Sequence, residues 1–239
     1  MESQTLTNIF VLNVKKFEQR RAFMESQLAA VNMQADFIFD WDVEDLRPEI
    51  ISRYFSDDNQ LSAAQKSCAL KHVAALKKTV ACQGLALILE DDAVFSKTFK
   101  LGLQHALEQN GQFSGDKVIY IGSGGNFFTP KSQRKAGQYL YLATRGRFAD
   151  SYIIDATTAQ KRLNWIETHK ISMPIDNQFE AIDKQLGIKI LWLEEPVVEQ
   201  GSKNGLFESA LEPAPPYWLQ AVFFTWEKLK RKYIYQLWR

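Results

Sequence analysis

Five apolar residues, Leu85-Ala-Leu-Ile-Leu89, run without a break into three acids, Glu90-Asp91-Asp92. A run this short does not complete a stable helix, and it has the character of a strand buried on both faces. Strands of that kind belong to α/β sheets covered by helices on each side. Three like charges just past the end of such a strand repel one another unless something answers them. A divalent cation does so, and Mg2+ or Mn2+ prefers carboxylate and phosphate oxygens to sulfur or imidazole. Held there, it can join protein carboxylates to a diphosphate and assist the diphosphate's departure as a Lewis acid. Ligands of open α/β sheets bind beyond the carboxyl ends of the strands, where these acids fall. The competing reading is a solvated acidic turn.

The rest of the chain supplies the frame for such a sheet. Asn8 to Val14 (NIFVLNV) reads as an opening strand, and Lys16 to Val31 as a helix with Phe17, Phe23, Leu28 and Val31 inward. Ala35 to Asp42 has strand character, led by Phe37 and Phe39. Strand, helix, strand is the opening of a nucleotide-binding half-sheet. Asp45 to Gln60 reads as a variable surface segment. Ser62-Ala-Ala-Gln65 is a capping box that starts a helix running to about Ala81, with Gly84 at its end or in the turn beyond. A helix is expected over Lys97 to Gln109 and a strand over Lys117 to Ile121. Strands over Tyr139 to Ala143 and Ser151 to Ile154 flank a basic turn, Thr144 to Arg147. A helix over Thr157 to Thr168, one opened by Met173-Pro174-Ile175-Asp176, and a strand over Ile188 to Leu193 complete the pattern.

Composition excludes several classes. With 239 residues the chain suits one α/β domain plus an appendage, and 46% hydrophobic residues fill a sizeable core. A net charge of +1 gives no strong overall field for nucleic acid. The two cysteines, Cys68 and Cys82, fall on one expected helix, so the rise per residue separates them by roughly 21 Å, too far for a disulfide. They read as core residues of a reducing compartment, outside any zinc-site pattern. The polar start, Met1 to Asn8, lacks the form of a secretory signal, and no apolar run is long enough to span a membrane. A cytoplasmic protein is the expectation.

Several blocks of the chain carry a family resemblance. Leu89-Glu90-Asp91-Asp92 resembles the core motif of glycosyltransferase family 25, the lipopolysaccharide-type glycosyltransferases related to collagen galactosyltransferases. IFVLNVKKFEQRRAFMESQL, from Ile9, is similar to that family's opening strand and helix, with Asn13 and Arg21 at matching positions. Ser67-Cys68-Ala69-Leu70-Lys71-His72 resembles its helical G-C-x-x-S-H segment, with Ser67 in place of the glycine and Lys71 in place of the serine. Asp150 to Ile154, Met173 to Asp176 and Glu199 to Ser202 resemble three further blocks, and the similarity spans about Asn8 to Ser209. The resemblance implies a GT-A fold with a mixed central sheet flanked by helices. It also implies a UDP-sugar donor, galactose the commonest, a divalent metal on the acidic motif, and inversion at the anomeric carbon.

Roles follow for particular residues as expectations. Glu90 and Asp92 would hold the metal, and Asn13, Arg21, His72, Asp91, Gln200, Gly201 and Ser202 would meet the donor. Arg21 has a competing reading as a surface residue, and His72 as a core histidine satisfied by one hydrogen bond. An inverting displacement needs a base for the acceptor hydroxyl. Asp176 suits that role or, equally, that of helix cap; Glu180, one turn on, is its rival and Glu199 a third candidate. Gly122 to Gly125 lacks phosphate-loop spacing and reads as a turn leading into an active-site lid.

The domain expected over residues 1–212 ends at Pro213-Ala-Pro-Pro216. Beyond it, over residues 213–239, aromatic residues from Tyr217 to Trp238 alternate with Lys228, Lys230, Arg231, Lys232 and Arg239. Such a segment suits peripheral contact with an anionic membrane carrying a glycolipid acceptor, or packing on the domain, or an oligomer contact. Two other functions compete. A metal-dependent phosphohydrolase calls for clustered histidines, and the three histidines are scattered. A non-catalytic nucleotide-sugar or glycan-binding protein on the same fold is the second.

Overall fold

The computed structural model describes residues 5–125, 128–143, 145, 148–204, 206–207, 225–227 and 229–234. Its centre is a seven-stranded mixed sheet in the order β2-β1-β3-β7-β5-β8-β6. The strands are β1 (Asn8–Leu12), β2 (Asp36–Ile38), β3 (Leu85–Glu90), β5 (Lys117–Tyr120), β6 (Leu140–Ala143), β7 (Ser151–Asp155) and β8 (Lys189–Leu193). A two-stranded ribbon joins β4 (Ala93–Phe95) to β9 (Val198–Gln200) in antiparallel register. The mixed sheet with flanking helices is the architecture expected, and it is consistent with a GT-A-like fold.

The LALIL run behaves as its composition demands. β3 pairs in parallel with β1 on one side and antiparallel with β7 on the other. Leu85, Leu87 and Leu89 enter the core on one face of the sheet, and Ala86 and Ile88 enter the core on the other. The first core also takes residues from α1 (Glu18–Ala30) and α4 (Phe99–Asn110). The second is closed by α3 (Ala63–Cys82), α5 (Ala156–His169) and α6 (Ile175–Leu186). A strand covered on both sides cannot accept a polar residue in its middle, so the first charge appears only where the strand leaves the layers.

Local signals hold at most boundaries. The Ser62 hydroxyl accepts from the Gln65 N–H at 3.2 Å while Gln65 accepts from the Ser62 N–H at 2.9 Å, closing the capping box. Asp155 caps α5 by accepting from the Thr158 N–H at 2.7 Å. The chain leaves α3 through Gln83 at φ 51°, and Gly84 lies in the turn beyond.

Other expectations are corrected. The segment Asp45 to Gln60 is not a mere surface connection: Pro48–Tyr54 forms α2, with Pro48 in its first turn, and Tyr54 and Phe55 are buried. Its apolar stripe spans only two turns, which hides its period. β2 ends at Ile38 rather than Asp42, because the chain turns away through Trp41 at φ 65°. Phe37 and Phe39 stay half-buried and stack on each other, Phe37 packing against the margin of a core. In α1 the buried residues are Met24 and Leu28, while Phe17, Phe23 and Val31 are only partly covered. Only one cysteine approaches a core: Cys82 is exposed, while Cys68 is half-buried and packs against the core on its side of the sheet. β6 and β7 flank the basic turn in sequence but do not pair, β6 lying at the sheet edge against β8 and β7 between β3 and β5. Of that turn only Arg145 is described; Thr144, Gly146 and Arg147 lie outside the described residues.

Most of the expected tail, including the proposed boundary at 212/213, also lies outside the described residues. Within it, Thr225–Glu227 is helical and Lys230–Ile234 makes a π-helical turn. Trp226, Leu229, Tyr233 and Ile234 are exposed, and the Lys232 ammonium lies 5.9 Å from the Phe128 ring centre. No helix among the described residues is long and apolar enough to cross a membrane.

Candidate functional site

A cavity of about 470 Å3 opens where β1 and β3 end. Its floor is the turn Glu90-Asp91-Asp92, and its walls come from the start of α1, the 43–44 turn, one face of α3, Phe148, and the start of α6. That volume lies in the range of small-ligand sites. A sheet of this type places its ligand crevice at such strand ends, because the connections diverge there and leave space.

The three acids have three different environments. Asp91 is bound within the protein: it accepts from Asn13 Nδ2 at 2.8 Å, Arg20 Nη1 at 2.9 Å and the Val14 N–H at 3.4 Å. Burial raises its carboxyl above the ordinary range, and the Arg20 charge and these donors offset part of that rise. Asp92 is nearly buried and has one donor, the Ser202 N–H at 3.1 Å on Oδ2. Its Oδ1 has no hydrogen-bond partner among the described residues. Burial first, and then the Glu90 charge, push its pKa up to about 6, while the Ser202 N–H opposes the shift. Glu90 is the most open of the three, with Oε2 facing Gln200 Nε2 at 3.5 Å and Oε1 facing His72 Nε2 at 3.4 Å.

Gly201 is required by space. A Cβ there would meet the Asp92 carbonyl oxygen at 2.9 Å and the Phe207 ring at 2.8 Å. The bare backbone lets the Gly201 N–H reach the Asp92 carbonyl at 2.7 Å, which ties β9 to the acidic turn. Gln200 and Ser202 line the cavity on either side of it.

The structure brings some expected residues to the cavity and not others. Glu90, Asp91, Asp92, Gln200, Ser202 and Asp176 line it. Asn13 stands behind Asp91 as its donor, fully buried, and is not part of the lining. His72 is also fully buried, bridging Tyr152 and Glu90 in the layer beneath. Arg21 faces away: it pairs with Glu25 at 2.8 Å, half exposed, and packs over Phe37 and Phe39. Its neighbour Arg20 enters the cavity, with its guanidinium 4.7 Å from the Phe17 ring centre. Arg20 is in helical phase with the buried Met24 and Leu28, a signal present in the sequence once those two set the inward face. Glu180 and Glu199 are not among the cavity residues.

Asp176, in the first turn of α6, accepts from the Asn177 N–H at 2.9 Å. It therefore helps satisfy the helix start and also faces the cavity. Burial raises its pKa, and Glu90 adds to the rise.

Two further wall residues are the departures from the family pattern, to which the sequence alone assigned no role. The Ser67 hydroxyl donates to the Trp41 carbonyl at 2.6 Å. Lys71, buried, donates to the Asp40 carbonyl at 2.7 Å and pairs with Asp42 at 2.7 Å. Together they hold the left-handed turn at Trp41, after which Val43 and Glu44 line the cavity.

A comparison with curated proteins found no match. A family model described as glycosyltransferase family 25 (LPS biosynthesis protein) matches residues 6–179, from β1 through the cavity wall at Asp176 and into α6. That match covers well over half of the chain, and the chain belongs to glycosyltransferase family 25.

Proposed function

We propose that this protein transfers a hexose, with galactose favoured by the resemblance, from a UDP-sugar to a lipopolysaccharide-type glycan, inverting the anomeric carbon. Family membership supports the coarser part of that reading, a glycosyltransferase with a nucleotide-sugar donor and a glycan acceptor. The observation that carries the finer part is the contrast among adjacent acids. Asp91 is consumed by three donors, whereas Asp92 keeps a buried oxygen unmatched beside the Glu90 charge. Two hard oxygen ligands with excess negative charge on a cavity floor fit Mg2+ or Mn2+.

In this reading Glu90 and Asp92 hold the cation, which when bound supplies charge stabilisation to the departing diphosphate. Arg20 adds positive charge at the same edge, and Phe17 beside it offers an aromatic surface for a base. Ser67 and Lys71 keep the 40–44 turn in place as the opposite wall. Asp176 takes the proton from the acceptor hydroxyl. Its raised pKa suits a carboxylate that must hold a proton at its Oδ atom during transfer, and its place on the cavity wall favours it over Glu180 and Glu199. The exposed aromatic and basic residues near 226–234 are compatible with peripheral contact to a membrane that carries the acceptor.

Calorimetric titration with UDP-galactose, UDP-glucose and UDP-N-acetylhexosamines, with and without Mn2+, tests the reading. Metal-dependent binding is expected, with at least about a 100-fold loss of transferase rate in Asp92→Ala. Absence of binding by every UDP-sugar in the presence of Mn2+ overturns it.

A further inference from the structure

We infer that Cys68, His72 and Glu90 form a second cation site, one selective for a thiolate-preferring divalent ion such as Zn2+. Cys68 and His72 are four residues apart on α3, so both project from one helix face. Glu90 comes to meet them from the end of β3. The Sγ, Nε2 and carboxylate oxygen all lie within 4.8 Å of one another. Glu90 Oε1 is 3.4 Å from His72 Nε2 and 4.0 Å from Cys68 Sγ. Tetrahedral zinc, with bonds of about 2.0–2.3 Å, separates its ligand atoms by roughly 3.3–3.8 Å, so side-chain shifts of up to about 1 Å close the three on an ion.

The surroundings complete the pattern. His72 Nδ1 is 3.1 Å from the Tyr152 hydroxyl, which leaves Nε2 as the ligating nitrogen and gives the ring a fixed orientation. Tyr152 is itself buried in β7, with the Arg162 guanidinium 5.6 Å from its ring centre. All three ligands sit on a helix or a strand rather than on a loop, so the set is rigid. Cys68 and Glu90 both line the cavity, which gives an ion a route in and leaves its fourth position for water. Binding displaces the Cys68 thiol proton to solvent, and the thiolate and carboxylate then neutralise the cation.

This site differs in chemistry from the oxygen pair Glu90 and Asp92, yet shares Glu90 with it. Hard ions favour the oxygen pair, and softer ions favour the sulfur–nitrogen–oxygen set. Zn2+ seated on the triad therefore withdraws Glu90 from the pair, and the two ions compete.

Cobalt titration of the full chain tests the site without donor or acceptor, so its outcome is separate from that of the transferase reading. Wild-type protein is expected to bind one Co2+ at the triad with a thiolate-to-cobalt charge-transfer absorption, which equimolar Zn2+ abolishes by displacement. Cys68→Ser is expected to lose the absorption, and His72→Gln to weaken cobalt binding by at least about tenfold. His72→Gln serves as the deciding variant if a thermal melt finds Cys68→Ser unfolded. Cys82→Ser and Asp92→Asn are expected to retain the absorption. The proposal is overturned if folded wild type gives no such absorption, if the band survives in folded Cys68→Ser, if His72→Gln leaves the affinity unchanged, or if Cys82→Ser abolishes the band.

Discussion

Two groups of buried charge in this molecule are built on different terms. In the helical layer, Arg162 and Asp183 are fully buried and meet fork to fork, with Arg162 Nε 2.8 Å from Asp183 Oδ1. The Arg162 guanidinium also lies 4.1 Å from the Phe179 ring centre. One cation answers one anion, and the pair joins α5 to α6. At the acidic turn three carboxylates lie together, and Arg20 pairs with one of them, Asp91. Glu90 and Asp92 remain in negative excess on a cavity floor. Matched charge in a dry layer is architecture; unmatched charge beside a cavity is a place for a ligand.

The largest effect that tests this contrast is on stability. Arg162→Met leaves Asp183 buried without its partner and is expected to cost about 3–5 kcal/mol, measured by chemical denaturation. A loss below about 1 kcal/mol would break the comparison, because the pair would then not be holding the layer.

A smaller effect, of opposite character, is expected at Asp92. Its pKa of about 6 in the folded protein exceeds the unfolded value of about 3.9. Between those values the folded state binds the extra proton, so stability falls as pH rises. Metal-free protein is therefore expected to lose about 2–3 kcal/mol from this group as pH climbs from about 4 to beyond 6. Asp92→Asn should flatten that part of the profile. Thermal melts across this range, on wild type and variant together, isolate the contribution; parallel profiles would mean that Asp92 is not strained by burial.

The smallest effect sharpens the boundary of the site. Arg21→Ala removes an exposed helix pair and is expected to change stability by less than about 0.5 kcal/mol. It should leave UDP affinity unaltered, whereas Arg20→Ala removes the cation paired with Asp91 and should weaken both. Equal effects of the two substitutions in the same melts and titrations would erase the assignment of Arg20 to the cavity.

Much of the fold was legible because its signals are local. LALIL had to be a doubly covered strand, Ser62 and Gln65 had to close a helix start, and Pro174 had to open one. The site was legible only in part. The acidic turn was visible because charge after a buried strand is conspicuous in one dimension. Arg20 is obscured in the sequence because Phe17, Phe23 and Val31 blur the helix phase that Met24 and Leu28 set. α2 was missed because two turns carry too little period to separate a helix from a loop.

The chain alone determined where most of the strands and helices fall, and that three carboxylates gather at one strand end, since both depend on neighbours in sequence. Tertiary structure decided which carboxylate is neutralised and which is left over. Asn13 and Arg20 reach Asp91 across 78 and 71 positions of chain, and the Ser202 N–H reaches Asp92 across 110. Adjacent acids look alike in a sequence, but hydrogen bonding and burial depend on what the folded chain carries to each of them.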